Sequence, residues 1–139
     1  MTVTFEFEEA YNDATWDYMV VGLNDFAKQQ KGMPKVTTFT YTLKNDQGEV
    51  CGGAGGYVLY GCLYIDLLYI DAAHRGHGNG LKLMQEIEAF ALTKDCHMLA
   101  VCTMDWEARP FYETLGFQHE FTRSGFNNNS AMHFLKKAL

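Results

Sequence analysis

The stretch Cys62 to Lys94 constrains this chain more than any other. An apolar run from Cys62 to Ile70 enters the loop Asp71-Ala-Ala-His-Arg75-Gly76-His77-Gly78-Asn79-Gly80. From Gly78 or Asn79 to Lys94 the spacing turns helical. Leu83, Met84, Ile87, Phe90 and Ala91 share one face, while Lys82, Gln85, Glu86 and Glu88 are mostly turned out. Three alternating glycines where a helix begins let the backbone turn its amides inward, and the helix N-terminus adds its partial positive charge. Such a loop suits phosphate oxygens. It lacks the Gly-Lys-Ser/Thr ending of a Walker loop, and its G-x-G-x-G spacing is not the G-x-G-x-x-G of a dinucleotide fold. The glycines alone are also compatible with a tight strand–helix turn that binds nothing.

The remaining text alternates between two periods. Thr2–Glu8 places Val3, Phe5 and Phe7 between polar residues, which predicts a half-buried strand. Trp16, Met19, Val20, Leu23 and Phe26 recur at helical spacing, with Asp13 or Thr15 as the cap and Gly32 and Pro34 as the stop. Val36–Leu43 and Val50–Tyr60 read as a hairpin across Asn45-Asp-Gln-Gly48, and Cys62–Ile70 as a further strand. Glycines 52, 53, 55 and 56 inside the second strand suggest a bulge or close approach to its backbone. Then come a short strand (His97–Thr103), a helix from Glu107 to Leu115 closed by Gly116, a strand at Phe117–Thr122, a loop at Ser124–Ser130 and a last strand at Met132–Leu135. The order β-α-β-β-β-α-β-α-β-β predicts a mixed α/β layer protein rather than a doubly wound repeat.

Composition excludes several classes. A length of 139 residues, 47% hydrophobic, predicts one domain with a real core. The net charge of −6 leaves no broad basic face for nucleic acid and weakly favours a cationic partner. No apolar stretch is long enough for a transmembrane helix, and Met1–Glu9 has no basic run, so neither a membrane span nor a secretory signal is expected. Cys51, Cys62, Cys96 and Cys102 form no C-x-x-C and pair with no histidines at ligand spacing. Buried, reduced thiols in a cytoplasmic protein are expected, with no metal site.

Two blocks then carry a family resemblance. Arg75-x-x-Gly78-x-Gly80, after Leu68-Tyr-Ile70-Asp71, resembles the acetyl-CoA pyrophosphate loop of the GNAT superfamily of N-acetyltransferases. Ala108-Arg-Pro-Phe111-Tyr112-Glu-Thr-Leu115-Gly116-Phe117, at the usual distance downstream, is similar to that superfamily's second block. The likeness runs from about Val36 to the end and is nearest to small stand-alone bacterial-type members. The text before the second block, Thr103-Met-Asp105-Trp106-Glu-Ala108, departs from the family by carrying Asp105 where many members have Asn.

The resemblance implies a mostly antiparallel sheet flanked by helices. It implies acetyl-CoA as cosubstrate, and direct acetyl transfer to a primary amine of a small molecule or peptide in a ternary complex. Backbone amides of Gly76, His77, Gly78 and Gly80, with Asn79 beside them, would hold the pyrophosphate, and Arg75 would support the loop. The strand edge at Leu68 and Ile70 would pair with pantetheine, the Ile70 amide facing the developing oxyanion. Tyr112 would protonate the leaving thiolate, or else is an aromatic packed beside Phe111 and Phe117. Asp66, a carboxylate in an apolar strand and expected on one face with Tyr64, Leu68 and Ile70, is either the base or a structural group. Asp105, Trp106 and Tyr64 are candidate acceptor contacts, with Tyr57 and Tyr60 as further lining. The other readings are a non-catalytic acyl-CoA-binding or sensing module on the same fold, and a partner-binding domain with an empty loop. A homodimer through Met132–Leu135 is open to the chain.

Overall fold

A computed structural model describes residues 1–139. The chain forms two compact units, Met1–Lys35 and Val36–Leu139.

The first unit is built on α1 (Asp13–Lys31). Asn12, rather than Asp13 or Thr15, caps it: the Asn12 side-chain oxygen accepts the Thr15 amide at 3.0 Å. Gly32 ends it in the left-handed region at φ +63°, where its amide reaches the Ala27 and Lys28 carbonyls. Two expectations fail here. Thr2–Glu8 is not a strand, and the stripe Trp16, Met19, Val20, Leu23 and Phe26 is not buried; no residue of α1 is. Alternation identifies a two-faced segment but not a neighbouring strand to supply its hydrogen bonds, and Phe5 stays 95% exposed.

The second unit is a six-stranded sheet in the order β1-β2-β3-β4-β6-β5. The strands are β1 (Thr37–Lys44), β2 (Val50–Leu59), β3 (Cys62–Ile70), β4 (Met98–Met104), β5 (Gln118–Phe126) and β6 (Ser130–Ala138). Only β3 and β4 pair in parallel, because α2 (Asn79–Thr93) crosses between them. The predicted mostly antiparallel sheet is therefore present. Leu83, Met84, Ile87 and Ala91 of α2 pack on Leu63, Ile65, Leu99, Val101 and Leu135 of the sheet. Leu63, Ile87 and Leu99 are fully buried, each stabilising by roughly 1.5–3 kcal/mol. α3 (Arg109–Thr114) adds Tyr112 to this core.

Boundaries differ from expectation chiefly around α3 and the last two strands. α3 starts at Arg109 because Glu107 turns back to accept the Met104 amide at 2.8 Å. β5 and β6 run to Phe126 and from Ser130, so the expected long loop shrinks to Asn127–Asn129. There Asn128 and Asn129 take left-handed backbone at φ +56° and +55°, a conformation asparagine tolerates. Three of the four glycines of β2 are explained by neighbouring strands. A Cβ on Gly52 would lie 2.7 Å from the Tyr69 carbonyl oxygen, one on Gly53 2.5 Å from that of Tyr41, and one on Gly56 would overlap that of Tyr64.

That crowding marks a bulge in β3. Gly55 pairs with Leu67 and Gly56 with Ile65, leaving Asp66 as the extra residue. Before the bulge Leu63 and Ile65 face α2; after it Ile70 is buried and Leu67 and Tyr69 are 77% and 63% exposed. The bulge therefore breaks the alternation. Asp66 is exposed, not buried, and Tyr64 lies on the opposite face from Leu68 and Ile70. A single extra residue reverses every later side chain, so strict alternation does not carry through Asp66.

Candidate active site

The bulge also ends the parallel pairing. β3 and β4 are joined from Cys62↔Met98 to Ile65↔Val101 and no further, although both strands continue. Residues 66–70 of β3 and 102–104 of β4 thus border a gap in the sheet, where strand pairing leaves backbone amides for an extended ligand, although the Ile70 carbonyl is taken by Arg75.

The glycine loop opens at one end of this gap. Asp71 ties it to β2, its amide donating to the Cys51 carbonyl at 2.9 Å. The Asp71 carboxylate accepts the His74 amide at 3.2 Å and contacts His74 Nδ1, which holds the Asp71 carboxyl below the usual carboxylate range. A 3-10 turn, Ala72–His74, results. Arg75 Nε donates to the Ile70 carbonyl at 2.7 Å, and its guanidinium lies 5.5 Å from the centre of the Tyr69 ring. Asn79 Nδ2 donates to the His74 carbonyl at 3.0 Å. Arg75 and Asn79 are thus braces of the loop.

Gly76 and Gly78 adopt φ +77° and +79°, and a Cβ on either would meet nothing within 4 Å. Their chirality-free backbone is needed for the turn, and the space before them is open. Gly78 caps α2 without a side chain, so the first amides of the helix are left for an anion. Gly80 differs: its Cβ would lie 3.2 Å from Phe111 Cζ, so it is a packing glycine that lets α2 close on α3. A cleft of about 460 Å³ borders the loop, lined by Leu43, Lys44, Asn45, Cys51, His74 and Asn79 among others. Lys44 is a cation to which the sequence alone assigns no site role; only the hairpin's placement against the loop reveals it.

On α3, Tyr112 is 4% exposed, with its ring edge-to-face with Phe111 and Phe117 at 5.2 and 5.4 Å. Burial, and secondarily the Glu107 carboxylate, push its phenol up to about 12. Its hydroxyl takes part in no hydrogen bond within the chain. The result is a protonated donor with no internal acceptor. Thr103, itself buried, sets the start of α3 by accepting the Ala108 amide at 3.1 Å.

The other candidates separate. Asp105 is engaged in structure: its carboxylate accepts the Ala131 amide at 3.2 Å and its own amide donates to the Ala131 carbonyl at 3.0 Å. It joins the α3 approach to β6. Trp106 is 67% exposed. Tyr64 stacks on Tyr57 at 5.1 Å on the sheet face opposite α2. Cys51, Cys62 and Cys96 are buried free thiols, whereas Cys102 is exposed on β4 at the edge of the gap, contrary to expectation. No group of three or more His, Cys, Asp or Glu side chains is placed to hold a metal, and no helix is long and apolar enough to cross a membrane.

A left-handed glycine turn at the N-terminus of α2, a strand edge left unpaired beyond Ile65 and a buried phenol belong to one α/β unit. The chain belongs to the acetyltransferase (GNAT) family, which it matches over residues 4–117, and is an acetyltransferase by that membership. It is 34% identical to blasticidin-S acetyltransferase of Streptomyces morookaense over 68% of this chain and 70% of that one. A crystal structure from Agrobacterium tumefaciens, assigned as an acetyltransferase, superposes with a TM-score of 0.83 at 24% identity, covering 99% of this chain and 100% of that one. A GNAT family acetyltransferase from Elizabethkingia anophelis with acetyl-CoA bound has a TM-score of 0.62 at 15% identity, covering 87% and 82%. These two structures establish the shared fold.

Proposed function

We propose that the chain works as one acetyltransferase domain that moves an acetyl group from acetyl-CoA directly to a primary amine of a small molecule. The open left-handed turn at Gly76 and Gly78, placed at the N-terminus of α2 beside the gap between β3 and β4, carries this reading. Relatives named for blasticidin-S and, over a shorter match, for thialysine N-epsilon acetylation support a small-molecule acceptor.

In this reading the amides of Gly76, His77, Gly78 and Gly80 bind the pyrophosphate, with Asn79 and Arg75 holding the loop's shape. Leu68 and Ile70 present backbone to the pantetheine arm, and the Ile70 amide faces the carbonyl oxygen as it gains charge. The acceptor arrives as an ammonium, which Asp66 orients; one proton passes to solvent before attack. A C–N bond forms, the C–S bond breaks, and the second amine proton leaves as the amide forms. Tyr112 donates its proton to the departing thiolate and recovers one from water. The balance is one ammonium and one thioester giving one amide, one thiol and one proton. With a phenol near 12, Tyr112 is a donor and not the base.

Two measurements test this together. Acetyl-CoA should raise the melting temperature, since a ligand bound to the native state alone stabilises it. Free thiol should then appear only when a suitable amine is added. A thermal shift with no thiol release across a broad panel of amines would indicate the acyl-CoA sensor instead.

A further inference from the structure

The sheet face opposite α2 carries two opposite charges, Asp66 and Arg123, that enter no ion pair. Register places Tyr57 opposite Tyr64, Cys102 opposite Phe134, and Phe121 opposite Phe134, so these side chains share that face. Two stacked ring pairs form its floor, Tyr57–Tyr64 at 5.1 Å and Phe121–Phe134 at 4.3 Å. The chain's ion pairs are His74–Asp71, Arg109–Glu113, Lys136–Glu120 and Lys137–Glu88. Asp66 and Arg123 enter none of them. The Arg123 guanidinium lies over Phe134, 5.2 Å from the ring centre. Asp66 is the bulged residue beyond Ile65, and Cys102 the first residue of β4 beyond Val101, so the two face each other where the strands part. Loss of water around its sulfur pushes the Cys102 thiol up; Arg123 lowers it and Asp66 raises it, so both charges act on this thiol.

Resting on the acetyl-transfer reading, we propose that the acceptor is an elongated zwitterionic amine. Asp66 holds its reacting ammonium at the mouth of the gap, and Arg123 holds an anionic group at its far end. Its apolar middle crosses Cys102 and the aromatic floor. Asp66 lies on β3 and the guanidinium over β6, two strands away, a span of about 10 Å. That span fits about four to six carbons between the charges. A lone Asp66 would accept any cation. Arg123 on the same face repels a second positive charge, so diamines are disfavoured while a carboxylate is drawn in.

The test measures thiol release at saturating acetyl-CoA with four acceptors: 6-aminohexanoate, hexylamine, 1,5-diaminopentane and tryptamine. kcat/KM for 6-aminohexanoate should exceed that for the other three by about tenfold or more, the effect of one charge-assisted contact. Arg123→Gln should raise KM for 6-aminohexanoate by about tenfold with kcat retained, and leave hexylamine unchanged. Arg123→Lys should restore part of the preference. Asp66→Asn should lower turnover of all the acceptors. Equal or better use of hexylamine, 1,5-diaminopentane or tryptamine overturns the zwitterion assignment while leaving acetyl transfer intact. So does an Arg123→Gln variant that weakens all acceptors alike. A protein stabilised by acetyl-CoA that releases thiol with no amine overturns the transferase reading itself.

Discussion

Replacing Tyr112 by Phe separates a catalytic phenol from a packed ring. The ring keeps its volume and its edge-to-face contacts with Phe111 and Phe117, and the lost hydroxyl has no partner in the chain. Stability near neutral pH should therefore change by less than about 1 kcal/mol. Turnover should fall by about 10²–10⁴, or about 3–5 kcal/mol of barrier, if the hydroxyl protonates the thiolate. Alkaline unfolding supplies an independent check. The Tyr112 phenol is raised from 10.0 to about 12 on folding. The neutral form is the one that folding favours. Its contribution is complete below the unfolded value and is lost as pH rises through the folded one. Two units correspond to about 3 kcal/mol lost across that window. Tyr112→Phe should remove that part of the slope in urea unfolding between about pH 10 and 12, leaving the smaller share from Tyr41, Tyr57 and Tyr64, which burial also raises. Wild-type turnover in the variant would refute the catalytic role, and an unchanged alkaline slope would refute the burial argument.

Other substitutions divide the loop by mechanism. Gly78→Ala places a side chain at φ +79° without a clash; it should cost about 1–2 kcal/mol in thermal unfolding and weaken acetyl-CoA at least tenfold by titration, because the Cβ enters the anion's space. Gly80→Ala should do the reverse: its Cβ meets Phe111 at 3.2 Å, so stability falls by about 1–3 kcal/mol while affinity measured on the folded protein holds. Hydrogen exchange should show the amides of residues 66–70 that face away from β2 unprotected in the free protein and protected once acetyl-CoA is added.

Much of the second unit is legible from residues alone. The edges of β3 and α2 follow from the apolar run and the change of period, and the Phe-Tyr and Gly-x-Gly blocks lead to Tyr112 and the open turn. What stays hidden is three-dimensional. The bulge at Asp66 has no signature in β3 itself; it is paired with glycines whose crowding shows only against Tyr64 and Tyr69. Gly80 looks like Gly76 and Gly78 in the text, and only Phe111 tells it apart. Asp105 and Trp106 sit beside the second block yet point to structure and solvent. Arg123 carries no motif, and its relation to Asp66 needs β6 and β4 laid between them. The strand expected at Thr2–Glu8 fails because alternation says nothing about a partner.

Direct, acetyl-CoA-dependent transfer to an amine can be followed with acetyl-CoA labelled in the acetyl group, an accepted amine, and rapid quenching, with thiol and label counted together. One thiol should be released for each labelled amide formed, with no label on the protein at any time. Label accumulating on the protein, or acetyl-CoA bound without thiol release or labelled amide, would contradict it.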